Sequence, residues 1–85
     1  MPQVEMYTTK YCLYCLSAKA LLTRKGIPFT EIDVSGDADL REKMVQRAEG
    51  RMTVPQIFIG AQHVGGYDEL YALDQAQQLD AMLAA

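Results

Sequence analysis

The hydrophobic and polar positions in the first third of the chain predict a strand, a helix and a second strand. Val4–Thr8 alternates apolar and polar residues, as a half-buried strand does. The next stretch predicts a helix that ends before Gly26 and Pro28. Its apolar positions at helical spacing are Leu13, Leu16, Ala20 and Leu21. Residues 29–34 then predict the second strand.

The remaining pattern predicts a helix, a hairpin and a last helix. Asp37 is a suitable N-cap for the second helix and Gly50 a suitable end, with Leu40, Met44 and Ala48 as its apolar positions. Two short apolar runs at 56–59 and 63–64 flank Gly60-Ala61-Gln62, which predicts a tight hairpin. Asp68 is a suitable N-cap for the last helix, whose apolar positions are Leu70, Leu73, Leu79 and Met82.

This βαβ–ββα order predicts an α/β fold, in which a four-stranded mixed sheet is flanked by three helices. The βαβ half requires a parallel strand pair with a right-handed crossover, and the hairpin adds an antiparallel pair. The chain has no linker or repeat, so residues 1–85 are expected to form one domain. We assign a set of apolar side chains to its core: Leu16, Leu21, Leu40, Ile57, Ile59 and Leu73.

Composition and charge argue against several classes of function. The 85 residues are 49% hydrophobic and carry a net charge of −3, which argues against a nucleic-acid footprint. No apolar run approaches the roughly 18 residues that cross a membrane, and the N-terminus lacks the apolar region of a signal peptide. We therefore expect a protein of the cytoplasm, a compartment in which lasting disulfides are unusual.

The two cysteines, Cys12 and Cys15, lie where the first strand gives way to the first helix. A disulfide that closes so short a loop removes little entropy from the unfolded chain, so it is a poor structural bridge. A helix N-terminus also stabilises a thiolate, which is the reactive form. We therefore predict a redox pair, with Cys12 as the exposed nucleophile and Cys15, one turn inside the helix, as the resolving thiol.

The reactivity of Cys12 requires more than the helix. An unperturbed thiol is only about 3% thiolate at pH 7, and lowering its pKa by three units takes about 4 kcal/mol. A helix dipole supplies about 0.3–1 kcal/mol and at most about 2. Hydrogen bonds and a cation must add the rest, and Lys10 is the candidate cation, although a solvated lysine is an equal alternative. Zinc binding is the competing use of the pair, but a closed site needs four ligands and only His63 is left to add.

Three spaced motifs on this pattern resemble a dithiol glutaredoxin of the bacterial type, over essentially the whole chain. They are Cys12-Leu13-Tyr14-Cys15, Thr53-Val54-Pro55 and Gly65-Gly66-Tyr67-Asp68. The resemblance implies a thioredoxin-like fold and an enzyme that reduces disulfides with glutathione. It also implies a cis Val54–Pro55 bond beside Cys12, which would turn the Val54 backbone toward an extended peptide such as glutathione.

The resemblance further implies a glutathione site. The γ-glutamyl carboxylate would meet the helix N-terminus at Tyr67 and Asp68, and the Asp68 carboxylate would pair with the ammonium. Lys10 and Arg51 would meet the glycine carboxylate, although Arg51 alone would be taken for a surface charge. The other residues assigned to the site are Tyr14, Thr53, Val54, Pro55 and Gly66.

The expected partners are glutathione and proteins that carry glutathione mixed disulfides or disulfides, and the expected state is a monomer. Leu13 departs from the family, in which many dithiol members have proline at this position. Some relatives without that proline hold a glutathione-ligated iron–sulfur cluster between two subunits, so a [2Fe–2S] dimer with Cys12 as ligand is one alternative. A redoxin reduced by thioredoxin reductase is the other.

Overall fold

The computed structural model describes residues 1–84, which contain four strands and four helices. Their bounds are β1 Val4–Thr8, α1 Leu13–Arg24, β2 Thr30–Asp33, α2 Ala38–Arg47, β3 Gln56–Ile59, β4 Gln62–Gly65, α3 Tyr67–Gln75 and α4 Leu79–Ala84. The sheet order is β2-β1-β3-β4. β1 and β2 are parallel, and the other two pairs are antiparallel. The predicted four-stranded mixed sheet is confirmed.

The strand pairing brings two distant loops to one edge of the sheet. β1 ends at Thr8, shortly before Cys12, and β3 begins at Gln56, directly after Pro55. Because β1 and β3 are antiparallel and Tyr7 pairs with Gln56, the end of β1 lies beside the start of β3. The cysteine pair and the Thr53–Pro55 segment are therefore neighbours.

Strand alternation divides the core between the two faces of the sheet. Met6 and Ile57 point to one face, where α1, α3 and α4 cover them, while Tyr7 and Phe58 point to the other, which α2 covers. Within residues 1–84, none of the helices has the length and apolar character of a membrane-spanning segment.

The buried face of α1 is not the one that the sequence analysis assigned. Its buried residues are Cys15, Ala18, Leu21 and Leu22, whereas Leu16 is 58% exposed. Leu13 and Ala20 are exposed as well. The prediction of Leu16 as a core residue was wrong because the small residues Cys15 and Ala18 face the sheet, which rotates Leu13 and Leu16 outward.

The single last helix of the prediction is two helices. The backbone of Gln77 is left-handed, with a φ of 59°. The N–H of Gln77 donates to the Asp74 carbonyl at 3.0 Å and that of Gln78 to the Leu73 carbonyl at 2.9 Å. These two bonds form the usual left-handed helix ending. The residue types did not predict this break, because glutamine occupies the position where glycine normally marks such an ending.

Candidate active site

The N-terminus of α1 holds the two cysteines together. Cys12 is the N-cap residue, with an extended backbone, and the Cys15 N–H donates to its sulfur at 3.0 Å. The two form a disulfide, with their Cα atoms 5.1 Å apart. The predicted placement of Cys12 at the helix start is confirmed, and so is the expectation that this spacing allows a disulfide.

The two sulfurs differ in their access to other molecules. Cys12 is half-buried, whereas Cys15 is only 1% exposed and lies on the buried face of α1. The Cys12 sulfur also lies 3.6 Å from the carbonyl oxygen of Val54, so the loop before β3 borders it directly. A sulfur that approaches this pair from solvent therefore meets Cys12 first.

A buried amide fixes the loop that borders Cys12. The Val54–Pro55 bond is cis, as the resemblance implies. Gln56 is fully buried, and its Nε2 donates to the Thr53 carbonyl at 2.9 Å and lies 3.2 Å from the Thr53 hydroxyl. Its position in an otherwise apolar strand was the one sequence signal for this contact, which the sequence analysis missed.

The side-chain amide of Gln56 also forms a hydrogen bond with His63, which gives His63 a structural role. A carbonyl only accepts hydrogen bonds, so the Gln56 nitrogen faces Thr53 and its oxygen faces His63 Nε2, 2.6 Å away. His63 Nε2 therefore carries the hydrogen. Desolvation, and then the charge of Arg51, lower the pKa of His63 below its usual value. Within residues 1–84, no group of three or more His, Cys, Asp or Glu side chains is placed to hold a metal.

A cleft of about 280 Å³ opens beside the loop that borders Cys12. It lies between that loop, the first turn of α1 and the start of α3, and the rings of Tyr14 and Tyr67 stack across it with centroids 6.4 Å apart. Its lining comprises Tyr14, Arg51, Thr53, Val54, Pro55, Gly66, Tyr67, Asp68 and Glu69. The structure thus brings together all but one of the residues that the sequence analysis assigned to the glutathione site.

Lys10 is the exception. It does not line the cleft, and its backbone N–H donates to the Ser35 hydroxyl at 2.9 Å on the β2 side of the molecule. Its charge contributes to lowering the pKa of Asp33, although the hydrogen bonds from Ser35 contribute more. The structure therefore gives Lys10 neighbours away from the cleft.

The start of α3 differs from the prediction. Its N-cap is Gly66, so the assignment of Asp68 as N-cap was wrong: Asp68 lies in the first turn and is exposed. The Glu69 carboxylate performs the capping instead, because its Oε1 accepts the Gly66 N–H at 2.7 Å. The same oxygen accepts Arg51 Nη1 at 2.9 Å. The Gly66 N–H first, and then Arg51, hold the pKa of Glu69 below its usual value.

Glu69 is the lining residue that the sequence analysis missed. The available signal was a glutamate three residues after a suitable N-cap position, which is the spacing of a capping box. That signal remained hidden because Asp68 is itself a common N-cap residue type and was assigned the cap in its place.

Two cysteines at a helix N-terminus, beside a cis-proline loop on a mixed sheet, define a thiol–disulfide oxidoreductase of thioredoxin-like fold. Residues 4–64 match the Glutaredoxin family model, and the chain belongs to this family. Glutaredoxin 3 of Escherichia coli (strain K12) is 55% identical over 83 residues, which cover 98% of this chain and 99% of the relative.

Solved structures agree with this assignment. The solution structure of a glutaredoxin from Brucella melitensis has a TM-score of 0.86 and 54% identity, and the match covers 98% of this chain and 89% of that one. The crystal structure of a buckwheat glutaredoxin–glutathione complex has a TM-score of 0.87 and 28% identity, with 98% and 77% coverage. The chain is a glutathione-dependent thiol–disulfide oxidoreductase.

Proposed function

We propose that Cys12 is the nucleophile, that Cys15 is the resolving thiol, and that glutathione binds in the cleft beside the Val54 loop. One observation carries the proposal: residues from three separate segments of the sequence line a single cleft next to the accessible cysteine. The buckwheat relative, whose crystal structure is a complex with glutathione, supports glutathione as the occupant.

In the reduction of a glutathione mixed disulfide, the Cys12 thiolate attacks the glutathione sulfur. The Cys12–glutathione bond forms as the original disulfide breaks, and the substrate leaves as a thiolate that takes up a proton. A second glutathione thiolate then attacks the glutathione sulfur held on Cys12. This step releases glutathione disulfide and regenerates the Cys12 thiolate, so each mixed disulfide consumes one reduced glutathione, whose sulfur pairs with the glutathionyl sulfur taken from the substrate.

The reduction of a protein disulfide uses both cysteines. Cys12 attacks one sulfur of the substrate and forms a mixed disulfide with it, and the Cys15 thiolate then attacks the Cys12 sulfur. The substrate leaves as a dithiol and the Cys12–Cys15 disulfide remains, which is the state that the structure holds. Two glutathione molecules reduce it in turn. The short distance between the two cysteines and the burial of Cys15 suit this internal step.

Different residues along the cleft would bind different parts of glutathione. The N–H groups in the first turn of α3 have no partner within the helix, so they suit the γ-glutamyl carboxylate, and Asp68 suits the ammonium. Arg51 lies beside Gly66 at this end, so we assign it to the γ-glutamyl carboxylate rather than to the glycine carboxylate. The Val54 backbone would pair with the cysteinyl residue, and Lys10 stays a candidate for the glycine carboxylate.

The partners in this proposal are glutathione and proteins that carry glutathione mixed disulfides or disulfides. The monomeric state stays a prediction. A glutathione-reduced enzyme suits the cytoplasm, where glutathione keeps thiols reduced. The [2Fe–2S] dimer and a redoxin reduced by thioredoxin reductase stay predictions of the sequence, and the cleft favours glutathione over both.

The variant Asp68→Asn tests the glutathione site. We expect the KM for glutathione to rise about two- to tenfold with a smaller change in kcat, because the uncharged asparagine amide cannot form an ion pair with the ammonium of glutathione. Asp39→Asn is the matched control, since both aspartates lie in the first turn of a helix. Equal KM values in Asp68→Asn and the wild type would contradict the assignment of the ammonium to Asp68.

A further inference from the structure

One carboxylate of the protein already occupies the part of the cleft that is proposed to hold a carboxylate of glutathione. Glu69 Oε1 accepts both the Gly66 N–H and Arg51 Nη1, at 2.7 and 2.9 Å. A backbone N–H at a helix start and a guanidinium are the donors that a peptide carboxylate would use there. Glu69 therefore presents to these donors the same chemical group that glutathione would bring.

Gly65, which precedes the N-cap residue of α3, provides the space for this contact. The backbone of Gly65 has a φ of 116°, and a Cβ on it would lie 2.7 Å from Arg51 Nη1. A Cβ on Gly66 would lie 3.7 Å from Arg51 Nη2. A side chain at position 65 would crowd both the Glu69 carboxylate and the Arg51 guanidinium, whereas one at position 66 would make only ordinary van der Waals contact with Arg51, so the close approach of the two groups is favoured by the glycine at position 65.

The contact is also one that a ligand can exchange. The side chains of Arg51 and Glu69 are 45% and 44% exposed, and ion pairs at such exposure contribute little to stability. Glu69 has three side-chain torsions through which it can turn toward solvent. Arg51 is the cation that the structure places on Glu69 at this end of the cleft.

We propose that Glu69 is an internal competitor of glutathione, which occupies Arg51 in the free enzyme and yields it to the γ-glutamyl carboxylate on binding. This inference rests on the proposed glutathione site. Glu69 thereby sets the affinity for glutathione: it weakens binding, although it lies in the site. Its role is that of an affinity-determining residue, since it takes no part in the exchange of sulfurs.

Glu69→Gln is the first test, because glutamine still accepts the Gly66 N–H but carries no charge to hold Arg51. S-methylglutathione is a suitable probe, since it keeps both carboxylates and the ammonium but cannot exchange with a disulfide. We expect its Kd, measured by NMR titration of the oxidised protein, to fall about two- to fivefold. The control Glu42→Gln removes a charge on α2, outside the cleft lining, and should leave the Kd unchanged. An unchanged or higher Kd in Glu69→Gln would overturn the proposal.

A double-mutant cycle with Arg51→Gln separates occupation of Arg51 from simple charge repulsion. If Glu69 acts by holding Arg51, Glu69→Gln tightens binding at least twofold more when Arg51 is present than when it is glutamine. Equal tightening in both backgrounds would show repulsion alone and would contradict the proposal. If Arg51→Gln leaves the Kd unchanged in the Glu69→Gln background, the failure belongs to the placement of Arg51 in the glutathione site.

Glu69→Asp gives a second, independent measure. Aspartate keeps the charge, but its side chain is one methylene shorter and does not reach both Gly66 and Arg51 from the same backbone position. Competition for Arg51 therefore predicts that S-methylglutathione binds this variant more tightly than the wild type. A Kd equal to that of the wild type would contradict competition, since charge alone would then account for the effect of Glu69→Gln.

Discussion

Cys12→Ser is expected to lose the reduction of both glutathione mixed disulfides and protein disulfides, by more than roughly a thousandfold in kcat/KM. A serine hydroxyl is not ionised near neutral pH and does not form disulfides, so neither reaction can begin. The measurement is glutathione consumption with each class of substrate. Because Cys12 is the half-buried N-cap residue of α1, the change in fold stability should be small.

Cys15→Ser is the matched control, because it removes the other sulfur of the same disulfide. We expect it to retain the reduction of glutathione mixed disulfides and to lose most of the reduction of protein disulfides, which needs a resolving thiol. Retention of either activity in Cys12→Ser, or loss of both in Cys15→Ser despite an intact fold, would contradict the assigned roles.

Leu21→Ala is expected to destabilise the protein by about 2–5 kcal/mol. Leu21 is 1% exposed and belongs to the core cluster between α1 and the sheet, so truncation leaves a cavity there. Urea denaturation followed by circular dichroism measures the free energy of unfolding, and the slope with denaturant shows whether the unfolding transition itself is unchanged.

Leu16→Ala is the control for this second prediction, since the same substitution is made on the same helix. Leu16 is 58% exposed, so its truncation should change the free energy of unfolding by no more than about 0.5 kcal/mol. Comparable losses in the two variants would contradict the orientation of α1, in which Cys15 lies on the buried face and Leu16 on the exposed face.

The contrast between these leucines shows what the sequence could predict. β1 was predicted at the bounds it has in the structure, because a short alternating run between polar residues has few other interpretations. The start of α1 and the hairpin were also predicted from short local patterns. The buried face of α1 could not be predicted in this way. Leu16 also fits a helical spacing of apolar residues, and the small side chains at positions 15 and 18 decide which side meets the sheet.

The end of α3 and its N-cap residue could not be predicted from the sequence, for a related reason. A left-handed backbone is unusual for glutamine, so Gln77 did not indicate the helix ending, and glycine occurs at many positions besides the N-cap, so Gly66 did not indicate the helix start. Asp68 was the stronger cap candidate on residue type alone. The tertiary position of Arg51, which a local pattern does not contain, determines what Glu69 contacts.

The candidate site was predictable mainly through the family resemblance. Periodicity places Cys12 at a helix start, but only the resemblance links it to Pro55 and Asp68, which are far apart in the sequence. The structure brings those segments to one cleft. Lys10 was assigned to the Cys12 thiolate from its nearness in the sequence and to the glutathione site from the resemblance, whereas the loop after β1 directs its backbone toward Ser35.

We propose that Cys12 carries the glutathionyl group between substrate and reductant. The most direct test incubates the reduced Cys15→Ser protein with glutathione disulfide and follows its mass. We expect one glutathionyl group to be added on Cys12, and glutathione then to remove it and release glutathione disulfide. A Cys15→Ser protein that gains no glutathionyl group, or one whose adduct glutathione leaves in place, would contradict it.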